Sequence, residues 1–164
     1  MSLELGVAII ALLVSLVSFE VNRRAAAAAE RHGRMPILNP QPYQESDGGR
    51  AAGRLLVKNI GNGPALNIVL ADATGELATE DVRLIRLSPS KHRDHWKNYR
   101  HLRPIPAGGE RRYSWDYKGA VGFSYTDALG STYTLLTSPY GTKVVDGAVM
   151  QHEPLNKLRY LEEL

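Results

Sequence analysis

The sequence predicts a mainly β protein, a β-sandwich preceded by one transmembrane helix with a helical stalk and followed by a short helix. An uncharged apolar run occupies residues 5–19. Seven or eight short β-rich runs separated by turn residues follow it, and this spacing is typical of a sandwich. We expect a transmembrane helix over 1–22, a juxtamembrane helical stalk over 23–35, the sandwich over 36–150 and an amphipathic helix over 151–164.

Composition limits the classes of function. The chain has 164 residues, which is room for one ordinary domain and an appendage. Hydrophobic residues make up 43% and charged residues 23%, values typical of a folded protein. The absence of cysteine excludes disulfides, zinc–thiolate sites and cysteine nucleophiles. A net charge of +3 is too small to indicate nucleic-acid binding by itself.

The apolar run predicts a membrane anchor. A hydrocarbon core of about 30 Å needs roughly 20 helical residues, or about 17 at the short end. A cleaved signal peptide would begin with positive charge and end in small residues. Here the first four residues hold no cation, and Arg23 and Arg24 directly follow the run. A buried core helix is the alternative, but no other helix in the sequence is apolar enough to enclose it.

Positive charge after the run predicts the topology. Cations are retained in the cytoplasm, so we expect a single-pass protein of the cell membrane with its N-terminus outside and its sandwich cytoplasmic. Five alanines over 25–29 favour continuation of the helix, and Gly33 and Pro36 favour its end. The cations are Arg23, Arg24, Arg31 and Arg34.

Small or short polar residues recur on one stripe of this helix. In lipid, small residues let helix backbones approach, and hydroxyls can bond across the contact. The stripe is therefore a candidate packing face toward a second copy or another membrane protein. Chance occurrence and a pore lined by Ser15 and Ser18 remain alternatives. The predicted helix-packing residues are Ala8, Ala11, Ser15, Ser18 and Asn22.

The sandwich strands follow in order. A proline-limited lead-in predicts an edge strand, and residues 128–130 predict a hairpin in which Gly130 supplies positive φ. Alternation places Leu66, Ile68 and Leu70 on one face. The predicted strands are 35–43, 54–60, 65–73, 81–87, 111–117, 120–127, 131–138 and 142–150.

The stretch VKNIGNGPALNIVL, residues 57–70, has the glycines of a phosphate-binding loop. Such a loop must open a helix, because the helix N-terminus supplies the amides that bind the phosphate. The residues that follow Pro64 instead alternate as in a strand. We therefore predict a turn between two strands, in which Asn62 and Gly63 tolerate left-handed geometry and Pro64 fixes the exit.

Three segments carry a resemblance. VKNIGNGPALNI (57–68), LRPIPAGGERR (102–112) and FSYTDALGSTYTL (123–135) resemble the small immunoglobulin-like domains of bacterial membrane-anchored proteins of unknown function. The likeness covers roughly residues 36–140. It implies an immunoglobulin-like sandwich and offers no catalytic motif to carry over. A basic insertion at 88–104 departs from the simplest version of such domains.

That insertion opens a basic stretch. Residues 91–112 hold seven Lys or Arg against two acids, with Trp96 and Tyr99 interleaved. The stretch could contact anionic lipid, an acidic protein surface, or a nucleotide or nucleic acid. Alternatively it is a solvated loop whose aromatic side chains pack back on the sandwich. The predicted partner- or anion-binding residues are Lys91, Arg93, Trp96, Lys97, Tyr99, Arg100 and Arg103.

The sequence gives little support for metal binding or catalysis. The histidines of this stretch match no established metal-site spacing, and neighbouring cations would repel a metal ion. No Gly-x-Ser-x-Gly elbow is present, and Glu80 and Asp81 would lie on opposite faces of a strand. We expect no catalytic residue, no metal, no cofactor and no enzyme activity.

The expected function is therefore that of a bacterial membrane-anchored interaction or assembly subunit. Its partners would be membrane lipid and either another protein or further copies bound through the helix, and nucleic acid is not favoured. The alternative is a homo-oligomeric ligand sensor or small channel with an anion-binding cytoplasmic sandwich.

Overall fold

The structure, a computed structural model, describes residues 3–43, 54–74, 96–115, 120–138, 141–150 and 152–164. The chain divides into two compact units, Met1–Arg34 and Met35–Leu164. The first is helical and the second is built from β-strands, so the prediction of a mainly β chain with one N-terminal helix is confirmed.

The first unit is one continuous helix, α1, Leu3–Arg34. Its alanine-rich half is helical because alanine loses no side-chain entropy on folding, and ion pairs one turn apart, such as Arg24–Glu20 at 2.8 Å, add support. Within the described residues, no helix is long and apolar enough to cross a membrane. The described side chains of α1 are those of residues 12–27, 29, 30, 33 and 34, whereas the predicted apolar run begins at Leu5.

The second unit contains two antiparallel sheets. In the three-stranded sheet the order is β1 (Leu38–Tyr43), β2 (Arg54–Asn59), β5 (Glu110–Ser114). In the five-stranded sheet the order is β4 (Trp96–Leu102), β3 (Leu66–Ala73), β6 (Ala120–Thr126), β7 (Thr132–Ser138), β8 (Gly141–Asp146).

Most predicted strands are confirmed at nearly the predicted bounds. The lead-in strand β1 stands at the end of its sheet, as its prolines predict. The hairpin between β6 and β7 turns on Gly130 with φ of +83°, also as predicted. Strand β8 ends at Asp146, before Gly147, instead of continuing to residue 150. The predicted strand 81–87 lies outside the described residues.

Two apolar clusters explain why the central strands are buried on both faces. The inner cluster takes residues from both sheets, including Leu55 and Tyr113 from one and Ile68 and Phe123 from the other. The outer cluster covers the opposite face of the five-stranded sheet. It contains Val69, Ala71, Ala73, Trp96, Ala120, Leu136 and Met150, with Val149, Leu155 and Leu158 packed against it.

The basic insertion is not a loop over 96–102, because these residues form β4. Asn98 adopts φ of +57°, and β4 there carries one residue more than β3 between paired positions. Such a bulge shifts the facing of a strand. Trp96 therefore enters the outer cluster and Leu102 the inner cluster, although both positions are even.

The predicted C-terminal amphipathic helix is wrong. Residues 151–164 contain, where described, only the single 3-10 turn Leu155–Lys157, and the chain then runs extended. Pro154 holds an extended conformation before the turn, and Leu158 returns to one after it. The leucines of this segment, Leu155, Leu158 and Leu161, are spaced as on one face of a helix. The extended residues instead form hydrogen bonds with two sheet edges, and this tertiary pairing outweighs the helical spacing.

The turn between β2 and β3 is confirmed, and no helix follows it. Neither Asn62 nor Gly63 has positive φ, so this turn does not use the left-handed geometry that these two residues tolerate. The glycine requirement lies at Gly61 instead. A Cβ there would come within 2.3 Å of the Met35 carbonyl oxygen, so only glycine permits the lead-in to pass this closely.

Buried Asn59 joins three segments at this turn. Its Oδ1 accepts hydrogen bonds from the amides of Ile37 and Gly61, each at 3.1 Å. Its Nδ2 donates to the carbonyls of Gly63 at 2.7 Å and Ile105 at 3.1 Å. Asn59, which belongs to the stretch with the glycines of a phosphate-binding loop, therefore forms its hydrogen bonds with the protein's own backbone.

Candidate functional site

Trp96 does not belong to a ligand site. Its side chain is 4% exposed and packs in the outer cluster. Gly122 of β6 makes room for it, because a Cβ at residue 122 would come within 2.1 Å of Trp96 Cζ3. A ring enclosed in this way cannot stack on a base or a partner, so the packed-back reading of this aromatic is the correct one.

The structure describes four of the six remaining predicted residues. Lys91 and Arg93 lie outside the described residues. Lys97 and Arg103 are exposed, whereas Tyr99 and Arg100 are half-buried. Tyr99 packs against the outer cluster with His152 at 6.3 Å between ring centroids.

Among the described members of this set, Arg103, just after β4, joins a group of side chains from the C-terminal part of the chain. That group lies between the edges of β4 and β5, in what we call the bridging groove. It is filled by residues 159–164, the bridging segment. A cleft there is lined by Arg103, Tyr160, Leu161, Glu162 and Glu163.

The bridging segment bonds to both sheets. Beside β4 it runs parallel: the His101 amide donates to the Arg159 carbonyl at 2.9 Å, and the Leu161 amide donates to the His101 carbonyl at 3.0 Å. This pairing satisfies backbone groups at the β4 edge that the five-stranded sheet leaves free.

Beside β5 the segment runs antiparallel. The Leu164 amide donates to the Arg112 carbonyl at 3.0 Å, and the Ser114 amide donates to the Glu162 carbonyl at 3.4 Å. One short extended segment therefore joins the three-stranded sheet to the five-stranded sheet.

Side chains of the segment alternate as in a strand. Leu161 and Glu163 are half-buried, and Leu161 packs against the inner cluster. Tyr160, Glu162 and Leu164 are exposed. An apolar residue and a carboxylate two positions apart thus face the groove.

Two arginines in the groove face the Glu163 carboxylate. Glu163 Oε1 accepts from Arg111 Nη1 at 2.5 Å, and Glu163 Oε2 lies 3.8 Å from Arg103 Nη1. Arg111 also donates from Nε to the Pro104 carbonyl at 3.0 Å. Two guanidinium groups therefore meet one carboxylate, in a partly buried place where such bonds are stronger than at the surface.

A buried hydroxyl lies within electrostatic reach of this ion pair. Tyr113 is fully buried, and among the described residues its hydroxyl has no hydrogen-bond partner. Burial raises the pKa of Tyr113, and the Glu163 carboxylate raises it further. The phenol is therefore a neutral donor over the ordinary pH range.

The outer rim of the groove carries an aromatic pair. The His101 and Tyr160 rings are 4.5 Å apart between centroids and tilted by 32°. Burial, and secondarily His152, lowers the pKa of His101. A neutral imidazole stacked on a phenol ring packs the segment against β4.

The arrangement is suited to holding an extended peptide. Edge-strand amides and carbonyls bind backbone, and paired guanidiniums bind a carboxylate. No group of three potential metal ligands occurs among the described residues. Of the residues in the basic stretch that could in principle bind a metal, His92, Asp94 and His95 lie outside the described residues, and His101 stacks on Tyr160.

The predicted helix stripe is exposed where its side chains are described. Ser15, Ser18 and Asn22 are solvent-accessible in the single chain, and the side chains of Ala8 and Ala11 lie outside the description. Large apolar side chains flank the stripe and are equally exposed: Leu12, Leu13, Val14, Leu16, Val17, Phe19 and Val21.

Sequence reasoning missed Arg111, Tyr113 and Glu163 as a group. One signal could have shown it. Alternation in β5 places Arg111 on the same face as Tyr113 and Trp115, which the predicted core would bury. A cation on an inward face needs an acidic partner, and Glu163 supplies it.

None of the family models, curated proteins or solved structures compared with this chain matches it.

Proposed function

We propose that the chain is a single-pass membrane-anchored interaction subunit: α1 inserts into the cell membrane, and the β unit binds a protein partner beside it. We further propose that the two sheets form an immunoglobulin-like sandwich. The inner cluster, which both sheets share, supports that arrangement.

The observation that carries the anchor is the exposed apolar surface of α1. Consecutive residues of a helix point about 100° apart, so Leu12, Leu13 and Val14 face three different directions. All three are at least 55% exposed in the single chain. A helix that is apolar all round needs burial in lipid or inside a larger assembly.

The charged residues that follow the apolar run favour insertion in a bilayer. Glu20 is paired with Arg23 at 3.0 Å and with Arg24 at 2.8 Å, which sets a charged cluster directly after the run. Cations in this position favour a cytoplasmic β unit, and the small-residue stripe offers a face for packing on another helix.

Partner binding falls to the basic edge of the β unit. Lys97 and Arg103 are exposed on and just after β4. On a domain tethered at a bilayer, such cations attract an acidic protein surface and, secondarily, anionic headgroups.

A pair of double variants tests the anchor. Leu12→Arg with Leu16→Arg places two cations inside the apolar run, at about 3 kcal/mol each at the centre of a span. Ala25→Arg with Ala29→Arg places the same charges at the same spacing beyond the run and serves as the control. The wild-type chain and the control should stay in membranes washed with alkaline carbonate, and the first variant should be released.

Release of the wild-type chain, or equal retention of both variants, would contradict the anchor. Topology is read separately. A reporter that functions only in the cytoplasm, joined by a flexible linker after Leu164, should be active, and a silent reporter would refute the cytoplasmic placement.

A further inference from the structure

We infer that the bridging groove is an exchange site, in which the bridging segment of a second copy of this chain replaces the chain's own. The occupant is residues 159–164, RYLEEL. The inference depends on the β unit alone and holds whether or not α1 enters a membrane.

The groove recognises an extended backbone at both edges. Four backbone hydrogen bonds hold the segment, two to β4 and two to β5. Bonds of this kind are available to any strand added to an open edge. They therefore supply docking to a second copy as readily as to the chain's own segment.

The side chains that line the groove limit which peptide segments can occupy it. Without Glu163 the groove would present Arg103 and Arg111 with no carboxylate between them, and Arg111 is 28% exposed at its side chain. A half-buried cation of this kind needs a counter-charge. The neighbouring space also takes an apolar side chain, that of Leu161, against the inner cluster.

An occupant must therefore carry an apolar residue followed two positions later by a carboxylate, in extended form. The bridging segment of every copy has this pattern in the correct register. Charge complementarity and side-chain spacing thus point to a second copy.

The connection into the segment permits exchange. Val149, Leu155 and Leu158 pack against the outer cluster, but Tyr160, Glu162 and Leu164 face solvent. Leu158 is extended, with φ of −81° and ψ of 139°, and a change in its backbone torsion angles would direct the bridging segment out of its own groove. A reciprocal exchange about a two-fold axis keeps every contact in the groove and changes only this connection.

Disulfide trapping tests the exchange on the full chain in mild detergent. The chain has no cysteine, so introduced thiols are unique. Ser114 and Glu162 are exposed neighbours across the β5 pairing. Ser114→Cys and Glu162→Cys are placed in separate chains with different tags, mixed and oxidised, and the mixed dimer is measured by gel.

A matched control separates docking from collision. Leu129→Cys, at the exposed tip of the β6–β7 hairpin, replaces Glu162→Cys in the mixture. Dimers formed through α1 would raise collision in both mixtures alike. The expected result is a several-fold excess of the Ser114→Cys/Glu162→Cys dimer over this control, lost when Glu163→Gln is added to the Glu162→Cys chain.

A third variant keeps the test decisive. Ser114→Cys and Glu162→Cys in one chain should form an internal disulfide if the segment docks as described. An internal disulfide without excess mixed dimer overturns exchange. A failure of both overturns the groove itself, and neither result bears on membrane insertion.

Discussion

Replacement of Asn59 by alanine should destabilise the β unit more than any other single polar change at the β2–β3 turn. The side chain is fully buried and makes four hydrogen bonds to backbone groups of Ile37, Gly61, Gly63 and Ile105. Each bond contributes about 1 kcal/mol net, so the loss is about 4 kcal/mol. Ordinary domains have only about 5–15 kcal/mol of stability in total.

Urea unfolding followed by tryptophan fluorescence measures this loss. The chain's two tryptophans, Trp96 and Trp115, are both buried in the β unit and in different clusters, so the signal reports that unit and not α1. With an m value of about 2 kcal/mol/M, a loss of about 4 kcal/mol lowers the urea midpoint by about 2 M.

Two further variants separate hydrogen bonding from lost volume. Asn59→Asp keeps the shape but faces the Gly63 and Ile105 carbonyls with an acceptor, so it should be at least as damaging as Asn59→Ala. Asn62→Ala changes an exposed asparagine of the same turn and should stay within about 0.5 kcal/mol of wild type. A loss below about 1 kcal/mol for Asn59→Ala would refute the assignment of Asn59 as the residue that holds this turn.

The remaining predictions concern the outer cluster and the β6–β7 turn. Gly122→Ala should cost about 1–3 kcal/mol, because its Cβ would displace the Trp96 ring. The cost should shrink when Trp96→Phe is added, and an unchanged cost in the double variant would contradict the contact. Asp127 should make the stability of the β unit depend on pH. Burial alone would raise the pKa of Asp127. Hydrogen bonds from the Ser131 and Leu129 amides and the Tyr133 hydroxyl outweigh burial and lower this pKa. Because the pKa of Asp127 is lower in the folded than in the unfolded protein, its stabilisation is complete above the unfolded value of about 3.9 and is lost as pH falls through the folded value. The free energy of unfolding in urea, measured from about pH 2.5 to 6, should therefore rise with pH in wild type and rise less in Asp127→Asn. Equal pH dependence in the two proteins would refute this role of Asp127.

Local sequence patterns determined most of the strands and the helix. Alternation at Leu66, Ile68 and Leu70 placed β3, and Gly130 marked a turn because only glycine reaches positive φ without cost. The alanine run continued α1 because propensity acts residue by residue. These features depend on neighbours in the chain, so the chain alone displays them.

The groove was decided by tertiary structure. The bulge at Asn98 hid β4, since it turns Trp96 and Leu102 to opposite faces and removes the alternation that marks a strand. Leu155, Leu158 and Leu161 kept a helical spacing, yet the segment after Leu158 is extended because the β4 and β5 edges hold unpaired backbone groups. The need of an edge strand for a partner arises only when strands distant in sequence meet, so no local pattern of residues records it. Alternation in β5 indicates that Arg111 needs a carboxylate, but only the tertiary structure brings Glu163 to it.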